Sequence, residues 1–167
     1  MTKNPYVVWF MLAIVVFLAM LLGISCNGSK KATSMSSGPL TKLTLQAKSG
    51  SKVTLNVEIA DDEPEREKGL SNRTELPQDN GMLFLLDDRH AGFWMKDTLI
   101  DLSVAFISRC GQIVFIDEMK ANTFDIHNTP EPYQFGLEAN PGWFKSHGLN
   151  VGDQVQIPAN LKQSGCA

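Results

Sequence analysis

The chain has 167 residues, a length that points to one domain, and a formal net charge of −3 at pH 7. Lys3 is the only charged side chain before Cys26, so of 15 basic residues 14 lie beyond it, facing 18 acidic ones. That balance offers no phosphate-neutralising surface and argues against nucleic acid as a partner.

Residues 6–24 carry no charged side chain. The run exceeds the roughly 7–15 apolar residues of a signal-peptide core and nearly reaches the roughly 20 that cross hydrocarbon as a helix. Its end, Leu22-Gly23-Ile24-Ser25-Cys26, resembles the lipobox of bacterial lipoproteins, where a small residue precedes a cysteine that is acylated before cleavage; Gly23 stands where leucine is usual. Lys30 and Lys31 on the exported flank, opposed only by Lys3 and the α-amine, disfavour a plain anchor on positive-inside grounds. Residues 1–26 are therefore read as a signal peptide or membrane anchor ending in Cys26 as the lipidation site, with an uncleaved transmembrane helix or an ordinary cleaved signal as alternatives. All three put the domain outside the cytoplasmic membrane, in the periplasm or cell envelope, and the lipidated or uncleaved forms hold it to the membrane. Residues 27–40, rich in Ser and Gly without apolar periodicity, form a flexible linker.

Residues 41–160 carry the pattern of a small, mainly β domain, and residues 161–167 a short tail. Residues 43–45 and 53–59 alternate apolar and polar positions with period two, the mark of strands with one wet face, and residues 48–51 supply the turn of a hairpin. Asp62, Pro64 and the carboxylates around them start a short helix that Gly69 ends near Lys68. Residues 81–86 form a continuous apolar run, expected to be a strand buried on both faces. Residues 93–95 are expected to begin another strand, with Trp94 and Lys96 on one side and Phe93 and Met95 on the other. Residues 102–107 and 112–119 flank a glycine-containing turn and read as a second hairpin. A strand at 133–139, a helical turn at 142–147 and a last strand at 154–157 complete a barrel-like or sandwich domain of short strands with one or two short helices. Beyond Cys26, Cys110 and Cys166 make an even pair in an oxidising compartment. Their disulfide would restrict the unfolded chain by about 4 kcal/mol, the alternative being two free thiols.

Two stretches differ from generic core: residues 58–82, and residues 92–101, GFWMKDTLID. Together they resemble the DUF192 family, also known as UPF0127. The resemblance rests on Glu58-Ile59-Ala60, Glu65-Arg66, Gly69-Leu70, Arg73, Gly81-Met82-Leu83-Phe84, Phe93-Trp94-Met95-Lys96 with Thr98, Leu137-Glu138, Gly142-Trp143, Gly148 and Gly152-Asp153. The family pattern usually has methionine at Ser71, and proline and aspartate where Asp101 and Ser103 stand. The resemblance implies a compact, mainly β domain of unknown activity that often follows an export signal.

The residues support two functional readings. In the first, Arg73, Trp94, Lys96, Thr98 and Glu138 line a cleft for a small polar or anionic ligand, such as a sugar or envelope fragment. Against it stands a purely structural use, with Trp94 and Met82 in the core and Arg73 paired to Glu58 or Glu138. In the second, Glu58, Asp97 or Glu138 serves as acid or base of a hydrolase acting on envelope carbohydrate. No Gly-x-Ser-x-Gly elbow or Gly-rich phosphate loop is present. His90, His127 and His147 lack ligand spacing, and Met82, Met95 and Met119 read as core filler, so no metal or cofactor is expected.

Overall fold

The computed structural model describes residues 38–86 and 92–161. The anchor segment with Cys26, most of the linker, His90, and the tail with Cys166 lie outside the described residues. Among the described residues, no helix is long and apolar enough to cross a membrane.

Period-two patterning does what it should at the start of the domain. Strand β1 (Thr41–Gln46) and strand β2 (Lys52–Ala60) pair antiparallel with Leu43 opposite Leu55. Leu43, Leu45, Leu55 and Val57 are fully buried, while the residues between them stay wetter. Helix α1 (Glu63–Lys68) follows, with Asp62 as its N-cap accepting the Glu65 N–H at 2.8 Å and Gly69 ending it at φ +46°. The chain then crosses over to strand β3 (Asn80–Leu85), which lies parallel to β2.

Strands β4 (Leu102–Ile107) and β5 (Ile113–Met119) form the second hairpin, and β6 (Phe135–Ala139) inserts between β3 and β4, antiparallel to both. Helix α2 (Trp143–Ser146) leads to β7 (Gln154–Gln156), which pairs with β1. The sheet order is β5-β4-β6-β3-β2-β1-β7. This mainly β sheet curls as a half-barrel until its edges meet: Gln112 bridges Gln154, and the Val155 N–H donates to Gly111 C=O at 2.7 Å. Cys110, in the β4–β5 turn, is disulfide-bonded.

Burial falls on both faces of the central strands. Leu83, Ala105, Ile107 and Leu137 point into the concave core with Trp143 and Phe144 of α2. Met82, Phe84, Val104 and Phe106 point the other way, into a second core roofed by Leu70, Phe93 and Met95. This explains why residues 81–86 read as unbroken apolar sequence.

Residues 93–95 do not form the expected strand. Phe93 alone pairs, exchanging two 2.8 Å bonds with His127. The chain then turns at once, because the Thr98 N–H bonds Met95 C=O at 3.1 Å and Asp97 takes φ +57°. The predicted alternation of sides nonetheless survives: Phe93 and Met95 are buried, Trp94 and Lys96 exposed.

Candidate functional site

The sheet register sets the chemistry. Glu58 lies opposite Met82, Met82 opposite Glu138, and Glu138 opposite Val104. These four side chains form one row across β2, β3, β6 and β4, on the face of the second core. At about 4.8 Å per strand step, the two glutamates start from backbone positions roughly 10 Å apart, with Met82 between them. Each opens into a different hollow.

Glu138 lies at the floor of a cleft of about 360 Å³. Residues 69–71 and the end of α1 make one wall; Gly92, Phe93, Trp94 and Thr98 make the other, and Phe84 lies beneath. The residue is only 5% exposed, and no described residue hydrogen-bonds its carboxyl. Burial pushes it up to about 8, the positive charge of Arg73 offsetting only part of that rise. It is therefore a neutral carboxylic acid over most of the physiological range.

The aromatic wall owes its position to a glycine two residues away on the same face of β6. A Cβ on Gly136 would lie 2.1 Å from the Phe93 ring, so only glycine lets that ring seat on the strand. Phe93 then meets Phe84 edge-on at 5.1 Å and Phe106 at 5.6 Å. The rest of the loop is fixed by its backbone. Asn72 N–H donates to Asp97 C=O at 2.7 Å, and Asn122 N–H to Thr98 C=O at 2.9 Å. Asp101 accepts from Lys120 and from the Ala121 N–H.

Glu58 sits in the neighbouring hollow, of about 340 Å³, which shares Lys68 and Gly69 with the first. Both Nη atoms of Arg73 donate to its carboxylate, at 2.5 and 2.8 Å, and the Gly38 N–H adds a third bond at 3.2 Å. Burial alone would raise the Glu58 carboxyl, but the bonds and charge of Arg73 outweigh it and hold the group below its usual range.

Of the five residues nominated as a ligand site, Trp94, Thr98 and Glu138 share the first cleft. Arg73 is committed to Glu58 in the second hollow. Lys96 lines neither, and its ammonium stands 5.4 Å above the Trp94 ring. Trp94 is 52% exposed, so it is not enclosed as core. Sequence reasoning missed Gly69, Leu70, Ser71, Phe84 and Phe93 as walls of the cleft, and Gly136 as the reason it exists.

The nominated acids Glu58 and Asp97 do not line the Glu138 cleft. Ser103 is engaged structurally, donating to Glu118 and accepting the Gly142 N–H, each at 2.7 Å. Met82, Met95 and Met119 are packed in the second core. Among the described residues there is no cluster of three or more His, Cys, Asp or Glu side chains fit to hold a metal ion.

Comparison with known proteins adds the following. Residues 44–157 match the model of DUF192, described as Uncharacterized ACR, COG1430. A Sinorhizobium meliloti protein, described as a candidate transcription regulator, is 33% identical and superposes with a TM-score of 0.69 over 73% of this chain and 96% of its own. A Novosphingobium aromaticivorans protein of unknown function is 28% identical, with a TM-score of 0.67 over 75% of this chain and 94% of its own. A search of curated proteins finds no match.

Proposed function

The chain belongs to the DUF192 family, and from the cleft its fold builds we propose that it is an exported, membrane-anchored domain that binds a small polar ligand in the cell envelope. The observation that carries this is Glu138, a buried carboxyl without a hydrogen-bond partner among the described residues, open to an aromatic-walled cleft. Its oxygens open to the cleft, and a ligand donor on them would add a hydrogen bond worth about 0.5–1.5 kcal/mol, or about 1.5–3 kcal/mol once the carboxyl is charged. Trp94, half exposed on the opposite wall, supplies an apolar platform for a ring or short chain. An anionic ligand is less well served, because the guanidinium of Arg73 is consumed by Glu58 and the floor of the cleft is itself an acid. A transcriptional role of the kind named for the Sinorhizobium meliloti protein has no support in the net negative charge of this chain.

The test is titration of the exported domain with envelope sugars and small anions, read by tryptophan fluorescence and melting temperature. A ligand at about 100 times its Kd should stabilise the fold by about 2.7 kcal/mol. No response of either signal across the panel would overturn the reading.

One observation favours the hydrolase alternative: Glu138 keeps its proton near neutrality, as a general acid for glycosidic bond cleavage must. Its partner carboxylate would come from Glu63 or Glu67, on the α1 wall. Chromogenic glycosides turned over by the native domain but not by Glu138→Gln would establish it, and no turnover of any would remove it.

A further inference from the structure

Resting on the binding reading above, we infer that the ligand carries a protonated amine, seated with its ammonium against Glu138 on the aromatic floor of the cleft. The count of donors and acceptors leads there. Three of the backbone donors along the lining are already used: Gly69 N–H bonds Glu65 C=O, Ser71 N–H bonds Lys68 C=O, and Gly92 N–H bonds the Tyr133 hydroxyl. The Thr98 hydroxyl donates to Lys96 C=O at 3.4 Å. What remains at the floor is the carboxyl of Glu138, a residue 5% exposed that lines the cleft; once ionised it is acceptor-only. The missing half of that ionised state is a donor that brings a positive charge.

Its surroundings select a charged donor. Phe84, Phe93 and Trp94 line the same cleft, and aromatic faces attract cations most strongly where water is excluded. An ammonium brings three N–H donors to a carboxylate that nothing else satisfies. The wall charges leave room for it. Arg66 is spent on Glu63 at 2.9 Å and on the carbonyls of Asp61 and Leu85, and Lys68, which lines both hollows, acts on Glu58. Lys96 lies over the Trp94 ring, outside the lining.

The proton balance follows. The free cleft holds neutral Glu138, so an ammonium that pairs with it displaces the carboxyl proton to solvent, and one proton is released per amine bound. The charged groups lining its cleft are Glu63, Arg66, Glu67 and Lys68 from the α1 side, and Arg73, paired with Glu58 beyond Met82, is the charge that acts on Glu138. Burial holds Glu138 neutral, so it supplies the proton. Amino sugars and ethanolamine-type headgroups share this chemistry.

Isothermal titration at pH 7 with glucosamine and with ethanolamine, each beside its uncharged counterpart, glucose and 1,2-ethanediol, tests the inference. Repeating it in buffers of different ionisation enthalpy counts the protons. The expected result is at least ten-fold tighter binding of an amine than of its counterpart, with close to one proton released. Which amine binds tells a sugar source from a headgroup source. Glu138→Gln should abolish the amine preference and the proton release while keeping a folded circular-dichroism spectrum. Should that variant not fold, Trp94→Leu, at an exposed site, must weaken the amine several-fold. Glucose bound as tightly as glucosamine would overturn the inference and leave the binding reading standing. No response to any of the four, while another sugar does bind, would overturn the inference in the same way. Silence across the whole sugar panel would remove the binding reading as well.

Discussion

Glu58 and Glu138 stand in one row of one sheet, separated by a single methionine, and are handled in opposite ways. Glu58 receives two bonds from Arg73 and one from the Gly38 backbone, and its carboxyl is held low. Glu138 receives no bond from any described residue, and its carboxyl is pushed up to about 8. The first is a finished structural joint that ties residue 73 of the crossover to β2. The second is an open valence. Similar burial on the same sheet face therefore gives a structural acid where a cation is built in, and a candidate functional acid where it is left out.

The comparison breaks most sharply at Arg73. Replacing it with Met leaves Glu58 buried with only the Gly38 N–H bond and should destabilise the fold by about 3 kcal/mol in urea unfolding at pH 7. In the native protein the stability from Glu58 is present above its unfolded value near 4.5 and is lost as pH falls through its depressed folded value, so the deficit of Arg73→Met should shrink in acid.

Glu138→Gln should act the other way. The folded chain keeps a proton that the unfolded chain releases, so native stability declines as pH rises from about 4.5 to about 8 and is level above that. The variant should lack this slope and gain up to roughly 3 kcal/mol at pH 7, while losing its ligand. Denaturation midpoints measured across pH would show both effects.

Gly136→Ala sharpens the geometric side of the comparison. It drives a methyl group into the Phe93 ring and should cost about 1–3 kcal/mol, with weaker binding and no change in the Glu58 titration. The smallest effect belongs to Lys96→Ala, which removes only an exposed cation over Trp94. A change in melting free energy of about 0.5–1 kcal/mol at most is expected, with an altered tryptophan emission.

Most of the β framework was legible because burial on one or two faces writes directly into period-two or continuous apolar runs. Helix α1 was legible from its cap, proline and terminal glycine. Residues 93–95 misled because their alternation is that of an extended segment, while the turn that interrupts it depends on Asp97 taking a left-handed conformation and on bonds from Asn72 and Asn122. Trp94 and Thr98 stood out from the mixed chemistry of residues 92–101, and Glu138 was found through the family pattern. That Arg73 belongs with Glu58 was one of two structural pairings the residues left open, and only the β2–β3–β6 register decides between them. The fit of Phe93 against Gly136 brings together residues 43 positions apart, and no local pattern announces it.

The most direct test is carbon-13 NMR titration of the glutamate side-chain carboxyls in the ligand-free domain. The account predicts that Glu138 titrates near 8, while Glu58 titrates below the ordinary value of 4.5. A Glu138 midpoint at or below 4.5 would mean that the carboxyl is already solvated or paired, and would contradict the claim that it awaits a ligand.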